Sequence, residues 1–218
     1  IIHWMGTDIL WWSKEPKMVA ELAKWTDKHF SESEANQREL AAIGVESEVL
    51  RLPCRRIYVP QPMPDEFRVV YYAPLGREKF YHEKEIREIL WELGIPMFRL
   101  DAHSLQYERT ELRHRWACVY VRWTDHDWGI PHGLAEAKML GRAVLYRDES
   151  MGGTDMPFVE TFRDATELKA RLTGLKAKWP FPVDNQGATY YRSKMEHETF
   201  RERVYAVAKE LVKEKGKV

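Results

Sequence analysis

The sequence lacks the features of several special classes of protein. Its 218 residues include two cysteines, Cys54 and Cys118, and no Cys-x-x-Cys pair or Cys/His cluster. A disulfide framework and a zinc site are therefore not expected, and a reducing, cytoplasmic location is. No apolar run approaches the roughly 18 residues of a membrane span, and residues 1–10 do not resemble a signal peptide. We expect a soluble protein that is at most peripheral to a membrane.

An excess of charge of one sign is also absent, because 34 basic residues balance 34 acidic residues. The chain has no overall field that would attract nucleic acid or anionic lipid, so a nucleic-acid partner is not expected. An initiating methionine is lacking as well. The chain opens on Ile1 and Ile2 in a segment patterned like a buried strand, which predicts that upstream sequence is missing. The composition, 44% hydrophobic and 31% charged residues, is typical of a globular protein.

Helical and extended patterns alternate over the first 60 residues. Apolar residues recur at helical spacing between 18 and 25, and a short extended segment follows at 28–30. A second helix is predicted for 34–43, ended by Gly44, before the extended segment 48–52. This order indicates β-α-β units.

A proline-rich segment separates this part from the rest, since four of the 11 prolines fall between Pro53 and Pro64. Proline restricts the backbone and excludes regular helix, so the segment is predicted to be an interdomain linker. Beyond it the patterns predict strands at 67–73, 96–100, 117–123 and 143–146, and helices at 78–93, 131–140 and 166–172. Such alternation predicts a parallel sheet with helices on both faces.

The last part of the chain carries one apolar stripe between 193 and 213, with charged residues elsewhere. The stripe consists of Met195, Phe200, Val204, Val207, Ala208 and Leu211. It predicts a long amphipathic helix that needs a partner surface.

The densest polar segment lies between Arg122 and Glu136, where an apolar strand ends and a helix begins at Pro131. Strand-end loops bind ligands in open parallel sheets, and the free N–H groups of a helix start can hold an anion such as diphosphate. Glu136, a turn into the helix, can accept hydrogen bonds from two ribose hydroxyls. In the alternative interpretation Asp127 only caps the helix and Glu136 is solvated.

Several segments resemble GT-B glycosyltransferases, in the order in which that family has them. Their donor-site segment is similar to RWTDHDW and GLAEAKMLGRAVLY, and their carboxy-terminal opening strand and phosphate loop to VVYYAPLGREKFY. The active-site edge of their amino-terminal domain is similar to HWMGTDIL, and its last β-α-β unit to HFSESEANQRELAAIGV with VLRLP. Their closing helix is similar to SKMEHETFRERVYAVAKELV.

The resemblance implies an α/β protein of Rossmann-like parallel sheets with helices on both faces and a carboxy-terminal crossing helix. Residues 1–60 would be the remainder of the acceptor-side domain and 61–190 the nucleotide-sugar-binding domain. Residues 191–218 would form the helix that packs back on the amino-terminal domain. The implied activity is a hexosyltransferase-like transfer from a nucleoside diphosphate sugar to a carbohydrate, lipid-linked or small-molecule acceptor. The alternatives are a non-catalytic or truncated nucleotide-binding module and a sugar-nucleotide epimerase.

The resemblance also assigns donor contacts. Arg77 and Lys79 would neutralise the donor diphosphate, although a solvated helix start is the alternative. Arg122 and His126 would bind phosphate or pair with neighbouring aspartates. Glu136 would contact the ribose or the diphosphate. GT-B enzymes need no bound metal, and the chain has no Asp-x-Asp pair, so neither a metal site nor a cofactor is expected.

On the opposite side of the cleft, the resemblance places His3 facing the transferred sugar, with Gly6 and Asp8 on the acceptor or sugar side. His3 and Asp127 would lie nearest the anomeric carbon. Retaining enzymes of glycosyltransferase family 4 carry two glutamates separated by seven residues. Here the position eight before Glu136 is Trp128, and Asp127 precedes it. The first acid is therefore out of register, and retention or inversion at the anomeric carbon stays open.

Overall fold

A computed structural model describes residues 1–4, 15–54, 56–100, 115–125, 130–148 and 156–215. Within them the chain forms two parallel sheets. The strands are β1 (Ile2–Trp4), β2 (His29–Ser31), β3 (Glu48–Val49), β4 (Val69–Tyr72), β5 (Met97–Leu100), β6 (Val119–Arg122), β7 (Ala143–Arg147) and β8 (Glu160–Phe162). The helices are α1 (Pro16–Lys24), α2 (Glu34–Ala42), α3 (Glu83–Glu92), α4 (His132–Met139), α5 (Ala165–Lys178), α6 (Asn185–Met195) and α7 (His197–Lys215).

The first sheet has the order β1-β2-β3, and its two faces are buried differently. Successive side chains of a strand point to opposite faces, so β1 and β2 contribute to two cores. One core joins the sheet to α1 and α2 through Trp4, Val19, Leu40 and Val45. The other joins it to α7 through Phe30, Leu50 and Val207.

The second sheet has the order β5-β4-β6-β7-β8. One face packs on α3 and α5, through residues that include Val69, Val119, Ile86, Leu90 and Leu168. The other packs on α4 and α6, through residues that include Val70, Tyr120, Val144, Leu134 and Tyr191. The chain winds from β4 outward to β5 and from β6 in the opposite direction to β7. The predicted parallel α/β architecture with helices on both faces and a carboxy-terminal helix is confirmed.

Element boundaries differ from the sequence prediction at three places. Helix α3 begins at Glu83 and not at 78, because residues 73–82 form turns that end at His82 in the left-handed region. Strand β8 was not predicted, since three residues carry little pattern. Helix α6 starts ahead of the predicted stripe because the Asp184 carboxylate caps it, accepting from the Gly187 N–H at 2.8 Å.

The proline-rich segment is bonded to the second sheet. The Gln61 N–H donates to the Leu140 carbonyl at the end of α4, at 3.2 Å. Arg142, almost fully buried, donates through Nη1 to the Gln61 carbonyl at 3.0 Å and through Nη2 to the Arg115 carbonyl at 3.1 Å. The division of the chain into domains at 60 and 190 stays a prediction, and the second boundary falls inside α6.

Helix α7 returns the chain to the first sheet. Its stripe residues Phe200, Val204 and Leu211 surround Val207 and pack against Phe30 and Leu50. Its Arg203 Nε donates to Glu48 Oε1 in β3 at 2.7 Å. The predicted stripe from Phe200 to Leu211 thus covers the sheet face that α1 and α2 leave uncovered. The prediction of a single helix over 193–213 is wrong, because Met195 ends α6 and packs in the core of the second sheet.

Two valines of α7 give a matched test of this packing. Val207 is 2% exposed and Val212 is 72% exposed. We expect Val207→Ala to lower the free energy of unfolding by about 1–3 kcal/mol, because buried methyl groups are lost and a cavity remains. Val212→Ala should change it by less than about 0.5 kcal/mol. Urea unfolding measures both, and equal effects would show that α7 is not docked on the sheet.

Candidate functional site

The second sheet reverses its winding direction between β4 and β6, which creates a crevice at their carboxyl ends. In open parallel sheets ligands bind at this topological switch point. One wall of the crevice is the β4–α3 loop, residues 73–82. The other consists of residues 123–125, which follow β6.

Arg99, on the neighbouring strand β5, fixes the β4–α3 loop. Its Nε donates to the Ala73 carbonyl at 2.6 Å, its Nη2 to Glu78 Oε1 at 3.0 Å and its Nη1 to Glu83 Oε1 at 3.2 Å. Glu78 Oε1 also accepts from the Gly76 N–H at 3.1 Å. One guanidinium thereby holds the start of the loop, its middle and the first residue of α3.

A buried tyrosine, Tyr71, also belongs to this network. The Tyr71 hydroxyl donates to Glu83 Oε1 at 3.1 Å. Burial and the charge of Glu83 raise the pKa of Tyr71 to about 12, so the hydroxyl remains a donor at neutral pH. Glu83 therefore accepts from two side chains and anchors the first turn of α3.

Arg77 and Lys79 project from the loop that Arg99 holds. Both are exposed, and among the described residues neither side chain has a hydrogen-bond or ion-pair partner. Arg77 follows Gly76, whose φ of 77° lies in the region that favours glycine. Two unpaired cations thus stand on a backbone fixed at the crevice edge.

The opposite wall consists of the end of β6 and the residues after it. Arg122 is buried, and its guanidinium carbon lies 4.8 Å from the centre of the Tyr72 ring and 5.3 Å from that of Tyr81. Trp123 stacks on His82, with ring centres 4.7 Å apart and an interplanar angle of 17°. Arg122 is therefore enclosed by aromatic rings at this wall.

Asp125 joins the two walls. Its Oδ1 accepts from His82 Nε2 at 2.7 Å and from Arg147 Nη1, at the end of β7, at 3.2 Å. His82 is the residue that caps α3, with φ of 46° and ψ of 38°. The bond between His82 and Asp125 therefore spans the crevice.

The amino terminus of α4 faces the chain that leaves the first sheet. The His132 ring donates to the Leu52 carbonyl, and its buried Nε2 has no partner in the described part of the chain. Burial lowers the pKa of His132 in spite of that bond, so the ring is neutral at neutral pH. A Cβ on Gly133 would lie 3.1 Å from the Tyr120 hydroxyl, so the helix start packs closely on β6.

Glu136 lies in the buried middle of α4 and is 3% exposed, so the interpretation that leaves it solvated is wrong. Burial, and to a lesser extent the charge of Glu136, raises the pKa of Cys54. The carboxylate is thus close to the proline-rich segment, and it already has a partner in the protein.

The predicted residues of the amino-terminal side are only partly described. His3 Nε2 donates to the Leu50 carbonyl at 2.7 Å, and its ring lies edge-on to Phe200, at 6.2 Å between centres. It therefore occupies the sheet face covered by α7. Gly6, Asp8, His126 and Asp127 lie outside the described residues.

The structure adds His82, Arg99 and Arg147, which no sequence pattern selects, and it gives contacts to Asp125 and His132, which lie in the predicted polar segment without an assigned role. Their roles depend on contacts between distant positions: Asp125 lies 43 residues from His82 and 22 from Arg147. A local motif cannot reveal such pairs. The left-handed backbone of His82, a residue that is not glycine, likewise has no signature in the sequence.

A groove of about 890 Å³ runs along the outer face of α3, beside the switch point. Its lining includes five glutamates, three cations and the exposed Trp91. One of the three cations is Lys79, so this residue of the β4–α3 loop borders the groove, where the excess of carboxylates disfavours an anion. In the described ranges, no group of three or more His, Cys, Asp or Glu side chains is arranged to hold a metal ion. No described helix is long and apolar enough to cross a membrane.

Comparison with protein-family profiles and with curated proteins gives no match. Solved structures do match. WaaB, a lipopolysaccharide outer core galactosyltransferase in its apo form, has a TM-score of 0.63 at 14% identity, over 88% of this chain and 64% of that one. HepE of Anabaena, in complex with UDP and glucose, has 0.66 at 12% identity, over 91% and 67%. Sucrose-phosphate synthase of Thermosynechococcus elongatus has 0.67 at 11% identity, over 91% and 61%.

These matches show that the chain has the GT-B fold, as the sequence predicted. The chain spans about two thirds of the length of the three proteins. Membership of glycosyltransferase family 4 stays a prediction.

Two arginines that contact Glu83 test how the β4–α3 loop is held. Arg99 is partly buried with three acceptors, whereas Arg87 is exposed and 4.0 Å from Glu83. Arg99→Lys should lower the free energy of unfolding by about 1–3 kcal/mol, because an ammonium cannot reach all three acceptors. Arg87→Lys should be nearly neutral. Chemical unfolding measures the free energy of unfolding of both variants. An unchanged free energy of unfolding in Arg99→Lys would contradict the anchoring role of Arg99.

Proposed function

We propose that this chain is the donor-binding part, with the adjoining part of the acceptor side, of a glycosyltransferase that uses a nucleoside diphosphate sugar. The GT-B fold supports this activity, since its structural neighbours are glycosyltransferases. HepE structures hold UDP, glucose and UDP-glucose. The proposal extends to a hexosyltransferase-like, cytoplasmic enzyme with a carbohydrate, lipid-linked or small-molecule acceptor, and it includes no metal cofactor.

The observation that carries the proposal is the pair of unpartnered cations, Arg77 and Lys79, on a loop that Arg99 fixes at the switch point. When a sugar leaves a nucleoside diphosphate, negative charge grows on the diphosphate. Cations held in place beforehand stabilise that charge without reorganising during the reaction. A loop anchored by three guanidinium bonds provides this rigidity.

The start of α4 offers a second group of donors. Free N–H groups at a helix start favour a phosphate, and the dipole of the helix adds to the attraction. His132 does not add to these donors, because its ring is neutral and its other nitrogen donates to Leu52, which leaves Nε2 an acceptor. We assign the donor phosphates to the space between the β4–α3 loop and the α4 start.

Other assignments remain part of the proposal. Glu136 would contact the ribose or diphosphate by exchanging its present protein partner for ligand. Arg122, His126, Gly6 and Asp8 would contribute to the donor and sugar sides, and His3 and Asp127 would lie nearest the anomeric carbon. No described feature favours the alternatives of a non-catalytic module or an epimerase.

Removing the two loop cations tests the proposal. UDP, GDP and ADP are first screened by thermal shift, because a ligand at 100 times its Kd stabilises the folded state by about 2.7 kcal/mol. Arg77→Ala and Lys79→Ala should each weaken binding of the best nucleoside diphosphate about tenfold, through loss of a charge-assisted bond. Binding of the parent nucleoside should not change.

Lys178→Ala is the matched control, because Lys178 is an exposed lysine at the end of α5 with no partner in the described residues. It should leave both affinities unchanged. Isothermal titration calorimetry measures them. Equal losses for nucleotide and nucleoside, or no loss for either, would remove Arg77 and Lys79 from the phosphate site.

A ribose contact of Glu136 has a different signature. If its carboxylate accepts from the sugar hydroxyls, the wild type should bind a nucleoside diphosphate more tightly than its 2′-deoxy analogue. Glu136→Gln should reduce this preference, because an amide is the weaker acceptor. The exposed Glu202→Gln serves as the control, and unfolding of each variant is measured without ligand. An unchanged preference in Glu136→Gln would exclude the contact.

A further inference from the structure

The bond between His82 and Asp125 crosses the crevice in which a donor would bind. His82 belongs to the β4–α3 wall and Asp125 to the wall that follows β6. A ligand that reaches the switch point therefore meets a contact between the two walls.

This contact resembles an anion-binding site in which the bound anion is a side chain of the protein itself, the Asp125 carboxylate. Asp125 Oδ1 accepts from His82 Nε2 at 2.7 Å and from Arg147 Nη1 at 3.2 Å. An imidazole N–H and a guanidinium are also the side-chain donors that hold a phosphate oxygen. Asp125 thus occupies the position that a phosphate oxygen would take between them.

Two further observations set this cluster apart from an ordinary surface ion pair. His82 has a left-handed backbone, which a residue with a side chain keeps only when its surroundings hold it there. Its ring is stacked on Trp123, which is 6% exposed and whose Nε1 has no acceptor in the described residues. The cluster therefore holds the His82 imidazole against a buried ring whose N–H has no acceptor in the described residues.

We propose that Asp125 is a built-in competitor for the donor diphosphate. In the free protein its carboxylate occupies His82 and Arg147 and closes the crevice. A nucleoside diphosphate displaces it, takes over the two donors and separates the His82 and Asp125 side chains. This inference rests on the proposed function. It extends that function by naming His82 and Arg147 as phosphate contacts and Asp125 as the group that competes for them.

A double-mutant cycle tests the competition. Asp125→Asn and Asp125→Ser should each tighten binding of uridine diphosphate and of inorganic pyrophosphate by about fivefold or more, because the competitor is removed. In a background that carries His82→Gln and Arg147→Gln the gain should vanish, since the two donors are gone. Calorimetry gives the affinities, and thermal unfolding without ligand checks the fold of each variant.

Asp65→Asn is the matched control, because Asp65 is an exposed aspartate that directly follows the proline-rich segment. It removes the same charge and should leave both affinities unchanged. The proposal would be overturned if removing Asp125 raised the affinity equally with and without His82 and Arg147. It would also be overturned if Asp65→Asn raised the affinity as much, because the effect would then come from the change in net charge alone. Weaker or unchanged binding in both Asp125 variants would also overturn it.

The possible outcomes distinguish a failure of this inference from a failure of the proposed function. Wild-type binding without a gain in the Asp125 variants contradicts the competition alone. A gain for pyrophosphate with none for uridine diphosphate contradicts the assignment of the site to the donor. Absence of binding in the wild type and in every variant contradicts both proposals.

Discussion

Burial of helix α4 is the constraint on which the packing around the second sheet depends. All residues from Leu134 to Met139 are buried, including the charged Glu136 and Lys138. A buried charge is tolerated only when it is paired, so the helix needs partners from other elements. Lys138 pairs with Asp184, which also caps α6, and burial lowers the pKa of Lys138 against the opposing effect of that carboxylate. One ion pair thereby fixes α6 to α4.

The same constraint positions the candidate site. Helix α4 packs between β6 and the proline-rich segment, and the Gln61 N–H donates to the Leu140 carbonyl at its carboxyl end. The β4–α3 loop is fixed in another way, by the bonds of Arg99. The β4–α3 loop carries Arg77, Lys79 and His82, and Asp125 approaches His82 from the chain that follows β6.

The sequence predicts the architecture well because the architecture depends on repeated, local patterns. The alternation of strands and helices indicates a parallel sheet, and the stripe through Phe200 and Val207 indicates a helix with one buried face. The site depends on single contacts across the sheet, which leave no periodic trace. Arg122 illustrates the limit: its position at a strand end could be read from the sequence, but the two tyrosine rings beside its guanidinium could not. Glu136 was placed in the right helix, while its burial required knowledge of what packs around that helix.

The chain passes between the two sheets twice, and the two passages lie side by side. The outgoing passage follows β3, and the returning one is the break between α6 and α7. The Cys54 N–H donates to the Met195 carbonyl at 3.2 Å, which links them. Because the proline-rich segment beyond Cys54 is bonded to α4, and α7 is docked on the first sheet, each passage is only a few residues long. The two connections are therefore short, adjacent and bonded to each other, so a substitution that displaces one of them also displaces the other.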